Sequence, residues 1–157
     1  MTEPVRLLLV CLGNICRSPM AEGVLRARIE AAGLGDRVEL DSAGTGDWHV
    51  GCCPDHRAIA TAADHGVDIT RLRGRQLAPS DFTRFDWLLC ADHANLFDVR
   101  TLAPDAAARA KVALLLDWAG VEPAGEIPDP YTGGPPEFEH VWGLLDRAAD
   151  GVVRRLR

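Results

Sequence analysis

Leu7-Leu8-Leu9-Val10-Cys11-Leu12-Gly13-Asn14-Ile15-Cys16-Arg17-Ser18-Pro19 joins an apolar run, a short loop and the start of a helix. The run reads as a strand covered on both faces. Ser18 is a good N-cap and Pro19 suits the first helical position. Ala21, Val24, Leu25, Ile29 and Ala32 then recur at helical spacing, and Gly33 is placed to end the helix. Between strand and helix, Cys11 and Arg17 are separated by five residues. A tight loop there turns backbone N–H groups inward, and the helix adds its positive N-terminal end, making a phosphate cradle. An arginine fork binds two phosphate oxygens side by side. A thiol at the strand end lies inside that positive field, which favours the thiolate.

Three more runs read as strands: Val38–Asp41, Asp86–Cys90 and Lys111–Leu116, with the first at Arg6–Val10. Helical patterns alternate with them at Pro54–His65, in a short turn near Ser80–Arg84, from Asp92 to about Leu102, and from about Pro136 to the end. This alternation predicts an α/β fold, a parallel sheet with helices on both faces. Ligands of such sheets sit beyond the carboxyl ends of the strands. Cys11–Ser18, Ser42–Gly51, Asp92–Asn95 and Ile127–Pro136 all belong to that rim.

The chain has 157 residues, 47% of them hydrophobic, and a formal net charge of −6. That length suits one domain over residues 1–157. The acidic balance disfavours nucleic-acid binding and general binding to anionic membranes. No stretch approaches the roughly 20 apolar residues that span a bilayer. The opening residues 1–5 lack a basic region followed by a long apolar segment, so no secretion signal is expected. Five cysteines (Cys11, Cys16, Cys52, Cys53 and Cys90) make an odd count. With no secretion signal, this points to reduced thiols and a cytoplasmic protein. Neither a CxxC pair nor a zinc-type His/Cys cluster is present, so no metal is expected.

These residues support a definite chemistry. Cys11 is positioned to attack phosphorus and form a phosphocysteine. Arg17 would hold the equatorial oxygens as charge builds on them. Ser18 can donate its hydroxyl to the thiolate. Gly13 permits close backbone approach to phosphate, and Asn14 tolerates a left-handed backbone while its amide ties the loop down. Leu12, Ile15 and Cys16 complete the loop. Asp129, between Pro128 and Pro130, is the best candidate to protonate the leaving oxygen and later to activate water. Trp48 and Tyr131 would wall a slot for a flat ring. Cys16 is a candidate resolving thiol that traps oxidised Cys11 as a disulfide.

The motif Val10–Glu22 resembles the signature of the low-molecular-weight protein tyrosine phosphatases. The likeness continues through Asp41–Gly51, Pro54–Ala58, Gly74-Arg75-Gln76, Asp81-Phe82, Asp92 with Asn95, and Asp129-Pro130-Tyr131. The resemblance implies a four-stranded parallel sheet in the order 2-1-3-4, no cofactor and no metal. It implies Cys11 as nucleophile, Arg17 as phosphate ligand and Asp129 as general acid, with Ser42 helping to hold the loop through Asn14. It implies a phosphotyrosine protein as substrate, a tyrosine kinase being one candidate, and a monomer is assumed. Three departures stand out. Thr132 replaces a second aromatic, which would leave the slot more open or less selective. Leu72 stands where many members carry a histidine that supports the loop asparagine. Cys90-Ala91 precedes Asp92 where methionine is common.

Other classes fit less well. An arsenate reductase of the related fold needs two further cysteines near the third strand, where only Cys90 lies. A non-catalytic phosphate-binding module would not need both Cys11 and Asp129. A Walker-type nucleotide site would end in Gly-Lys-Ser/Thr, which this loop lacks.

Overall fold

The computed structural model describes residues 3–157; part of the opening segment read for a secretion signal, residues 1–2, lies outside them. Four strands, β1 (Val5–Cys11), β2 (Val38–Gly44), β3 (Trp87–Cys90) and β4 (Val112–Leu114), form one sheet in the order β2-β1-β3-β4. Every pairing is parallel. Order and direction match the expectation.

The central strand shows why the sheet needs cover on both faces. Leu7, Leu9 and Cys11 point into one apolar cluster, and Leu8 and Val10 into another. The first cluster is closed by α1 (Arg17–Ala31), α2 (His56–Asp64) and the long α7 (Pro135–Leu156). The second is closed by α3 (Asp81–Arg84), α4 (His93–Leu102) and α5 (Ala106–Arg109). Leu7, Leu8, Leu88, Leu145 and Phe138 are fully buried. Truncating one of these leucines to alanine would cost about 2–5 kcal/mol.

Two local expectations are corrected. Ser18 does not cap α1: the helix begins at Arg17, Cys16 stands at the N-cap, and no side chain caps it. The serine hydroxyl is engaged inside the loop instead. The expected strand Lys111–Leu116 stops at Leu114, and Leu115–Trp118 turns into the short helix α6. Both halves of that run are largely buried, so apolar continuity alone could not separate strand from helix. The single-turn helix α5, N-capped by Asp105, was also not foreseen.

β2 extends three residues beyond its expected end, to Gly44. Gly44 pairs with Cys11. A Cβ on Gly44 would stand 2.8 Å from the Leu12 carbonyl oxygen, so a side chain there would displace the loop. Among the described residues, no helix is long and apolar enough to cross a membrane.

Candidate active site

Cys11 ends β1 at the floor of the loop, buried. The carbonyls of Cys11, Leu12 and Ile15 face away from the loop centre, accepting from the N–H groups of Thr45, Gly46 and Asp55 at 3.0, 2.9 and 2.8 Å. In a trans peptide the next N–H points opposite its carbonyl. The N–H groups of Leu12, Gly13 and Cys16 therefore face inward. Asn14 takes a left-handed φ of 57° and aims its own N–H at Cys11 Sγ, 3.3 Å away. Ser18 Oγ lies 3.0 Å from the same sulfur.

The asparagine side chain ties the loop to its surroundings. Asn14 Nδ2 donates to Ser18 Oγ at 2.7 Å and to Ser42 Oγ at 3.1 Å. Its Oδ1 accepts from the Arg75 N–H at 3.0 Å. Ser42 in turn donates to the buried Glu22 carboxylate at 2.8 Å.

Arg17 is almost fully buried. Its Nη1 donates to Asp92 Oδ2 at 2.6 Å and to the Ile127 carbonyl at 2.9 Å, while Nη2 stands 3.7 Å from Asp129 Oδ2. Burial opposes its charge, but the Asp92 hydrogen bond and the charges of Cys11, Asp92 and Asp129 outweigh that and hold the guanidinium above its ordinary range. Burial, reinforced by Asp55, Cys11 and Asp129, pushes the Cys16 thiol up to about 12, so it is a neutral thiol at physiological pH. Cys90 is likewise pushed up by burial, whereas Cys52 and Cys53 are exposed.

These groups surround a cavity of about 170 Å³. Cys11, Gly13, Ile15 and Arg17 from the loop line it together with Trp48, His49, Asp129 and Tyr131. Trp48 is 67% exposed and Tyr131 50% exposed, so both rings stand at the rim. Among the described residues, no group of three or more His, Cys, Asp or Glu side chains could hold a metal ion.

A family model described as "Low molecular weight phosphotyrosine protein phosphatase" matches residues 6–157. The chain belongs to that family. A low molecular weight protein-tyrosine-phosphatase of Streptomyces coelicolor is 45% identical over 154 residues, which cover 97% of this chain and 93% of that one. The crystal structure of a protein tyrosine phosphatase from Entamoeba histolytica with Hepes in its active site is similar at a TM-score of 0.90 and 33% identity, covering 97% of this chain and 96% of that one. Vibrio vulnificus Wzb in complex with benzylphosphonate is similar at a TM-score of 0.83 and 30% identity, covering 96% of this chain and 98% of that one.

Several residues of this phosphatase escaped the sequence reading. Glu22 and Asp92 fell within the resembling segments, but nothing local says that their carboxylates reach Ser42 and Arg17. Arg57 was also missed. It chelates Asp55 at 3.0 Å through both Nε and Nη2, donates to the Gly133 carbonyl at 2.8 Å, and lies over the rings of Phe138 (4.7 Å) and Tyr131 (5.5 Å). It thereby links the loop that carries Asp129 to the start of α2. Leu72, at the position noted for histidine in many members, packs against the first apolar cluster.

Proposed function

We propose that this phosphatase hydrolyses protein phosphotyrosine and small aryl phosphates through a phosphocysteine on Cys11. The supporting observation is one cavity that holds a sulfur contacted by two hydrogen-bonding groups, a fixed guanidinium and a carboxylate. The structure of Wzb of Vibrio vulnificus, similar over nearly its whole length, is a complex with benzylphosphonate, an aryl-bearing phosphonate.

In the first step the phosphate dianion sits on the inward N–H groups and Arg17. Cys11 Sγ attacks phosphorus, the bond to the aryl oxygen breaks, and Asp129 gives its proton to that oxygen. The tyrosine side chain leaves as a neutral phenol. In the second step the Asp129 carboxylate takes a proton from water. The resulting hydroxide attacks phosphorus, the P–S bond breaks, and inorganic phosphate departs. Arg17 and the loop amides bear the equatorial charge in both transition states. Ser18 stabilises the thiolate as nucleophile and as leaving group.

Trp48 and Tyr131 flank the aryl ring, and Thr132 leaves that slot open on one side. Cys16 serves as the resolving thiol when Cys11 is oxidised. The protein acts as a cytoplasmic monomer on phosphotyrosyl proteins, a tyrosine kinase among the candidates.

The test is steady-state hydrolysis of phosphotyrosine and phosphoserine peptides. Wild type should prefer phosphotyrosine, Cys11→Ser should be inactive though folded, and Asp129→Ala should be slower by about a hundredfold or more. An Asp129→Ala enzyme working at the wild-type rate across pH would remove the acid from the mechanism.

A further inference from the structure

We propose that Arg26 is a positioning residue for the nucleophile. Through Glu22 and Ser42 it steadies the Asn14 amide, whose Nδ2 also holds Ser18 beside Cys11 Sγ. The inference rests on Cys11 being the nucleophile.

The argument is one of donors and acceptors. Arg26 Nη2 donates to Glu22 Oε2 at 2.7 Å, one helical turn away on α1. The Glu22 side chain is only 5% exposed, whereas that of Arg26 is 48% exposed. Paired with Arg26, the Glu22 carboxylate accepts the single hydroxyl proton of Ser42 at 2.8 Å. Ser42 can then only accept from Asn14 Nδ2. The orientation of that amide is fixed independently, because Asn14 Oδ1 accepts from the Arg75 N–H. Both Nδ2 hydrogens are therefore used, one on Ser42 and one on Ser18. Ser18, having accepted, has its own proton free for the sulfur 3.0 Å away.

Without Arg26 the Glu22 carboxylate loses the side-chain partner that holds it against Ser42. Ser42 is then free to turn from Asn14 Nδ2, and the hold on Asn14 and Ser18 loosens.

The outer end of this chain lies on a different face from the phosphate loop. Glu22 and Arg26 border a cavity of about 210 Å³ with Glu30, Val67, Asp68 and Leu72. The charged groups that share this cavity with Glu22 are Arg26 and Glu30 from α1 and Asp68 from the segment after α2. Those near Cys11 are Arg17 from α1, Asp92 at the end of β3 and Asp129, with the thiols Cys16 and Cys90. Arg26 is the cation hydrogen-bonded to Glu22.

The experiment is the pH dependence of Cys11 alkylation by iodoacetamide, read at that residue by mass spectrometry so that the exposed Cys52 and Cys53 do not interfere. Arg26→Gln should move the midpoint up by about half a pH unit or more. Arg26→Lys should restore it. Arg28→Gln removes an equal charge from the same helix, from pairs with Asp146 and Asp150, and should leave the midpoint in place. Ser42→Ala cuts the chain in the middle, keeps the Arg26–Glu22 pair, and should reproduce the upward shift. Thermal melts establish that each variant is folded; if Arg26→Gln is not, Ser42→Ala and Arg26→Lys carry the test. A midpoint unmoved in folded Arg26→Gln or Ser42→Ala, or moved equally by Arg28→Gln, would overturn the proposal. Absence of phosphorus from Cys11 during turnover is a separate result: it would sink the mechanism and leave the alkylation result standing.

Discussion

Asp92 Oδ2 stands 2.6 Å from Arg17 Nη1, a contact between residues 75 positions apart that orients the guanidinium before any substrate arrives. Asp92 also N-caps α4, its Oδ1 accepting from the Asn95 N–H at 2.8 Å. One side chain thus joins the segment after β3, the start of a helix and the buried Arg17 guanidinium.

Asp92→Ala should lower kcat/KM by about tenfold to a hundredfold, the scale of a misplaced catalytic group. It should also cost more stability than the about 1 kcal/mol of the lost cap, because the buried Arg17 loses its hydrogen-bonded carboxylate. Asp92→Asn keeps the cap and a hydrogen-bond acceptor but loses the charge, so its melting temperature should fall less than that of Asp92→Ala while turnover still falls. Parallel kinetics and thermal melts separate the two effects.

Arg57 is the corresponding link for the loop that carries Asp129, the proposed acid. Lysine cannot reproduce its flat fork, which stacks on Phe138 and Tyr131 while reaching Gly133. Arg57→Lys should therefore reduce kcat for aryl phosphates by about tenfold. Inhibition by inorganic phosphate, assigned above to the loop and Arg17, should change by less than about twofold. Equal losses in both would contradict a role centred on the acid loop.

The fold was legible because its signals are local. The apolar run at Leu7–Val10, the break at Gly13-Asn14 and the apolar spacing after Pro19 each occupy a few consecutive residues. Ser18 shows where local reading fails: next to Pro19 it carries every mark of an N-cap, yet Asn14 and Cys11 compete for its hydroxyl and win. Leu115 fails in another way, because burial is the same for a strand and for a helix turning over it. Glu22, Arg57 and Asp92 act across gaps of 20 to 76 residues. No periodicity records such pairings; only the packed rim brings them together.

The Cys16 thiol gives a pH dependence whose sign is fixed. Its ionisation is raised from an ordinary 9.0 to about 12 in the folded protein. From pH 9 upward the unfolded chain loses this proton while the folded one keeps it, so stability is full below pH 9 and declines toward pH 12. The slope from this group is at most about 1.4 kcal/mol per pH unit. Urea midpoints measured from pH 8 to 11 should fall more steeply in wild type than in Cys16→Ala. A parallel decline would show that Cys16 is not the group responsible. The same neutral thiol should make disulfide trapping of peroxide-treated Cys11 slow at pH 7 and faster as pH rises. Cys16→Ala should recover less activity with dithiol than wild type.

Rapid acid quench of turnover with an aryl phosphate, followed by peptide mass spectrometry, tests the chemistry most directly. A phosphoryl group on Cys11 in wild type, and on no residue in Cys11→Ser, is the predicted result. Turnover at full rate with phosphorus never found on residue 11, or found elsewhere, would contradict the account.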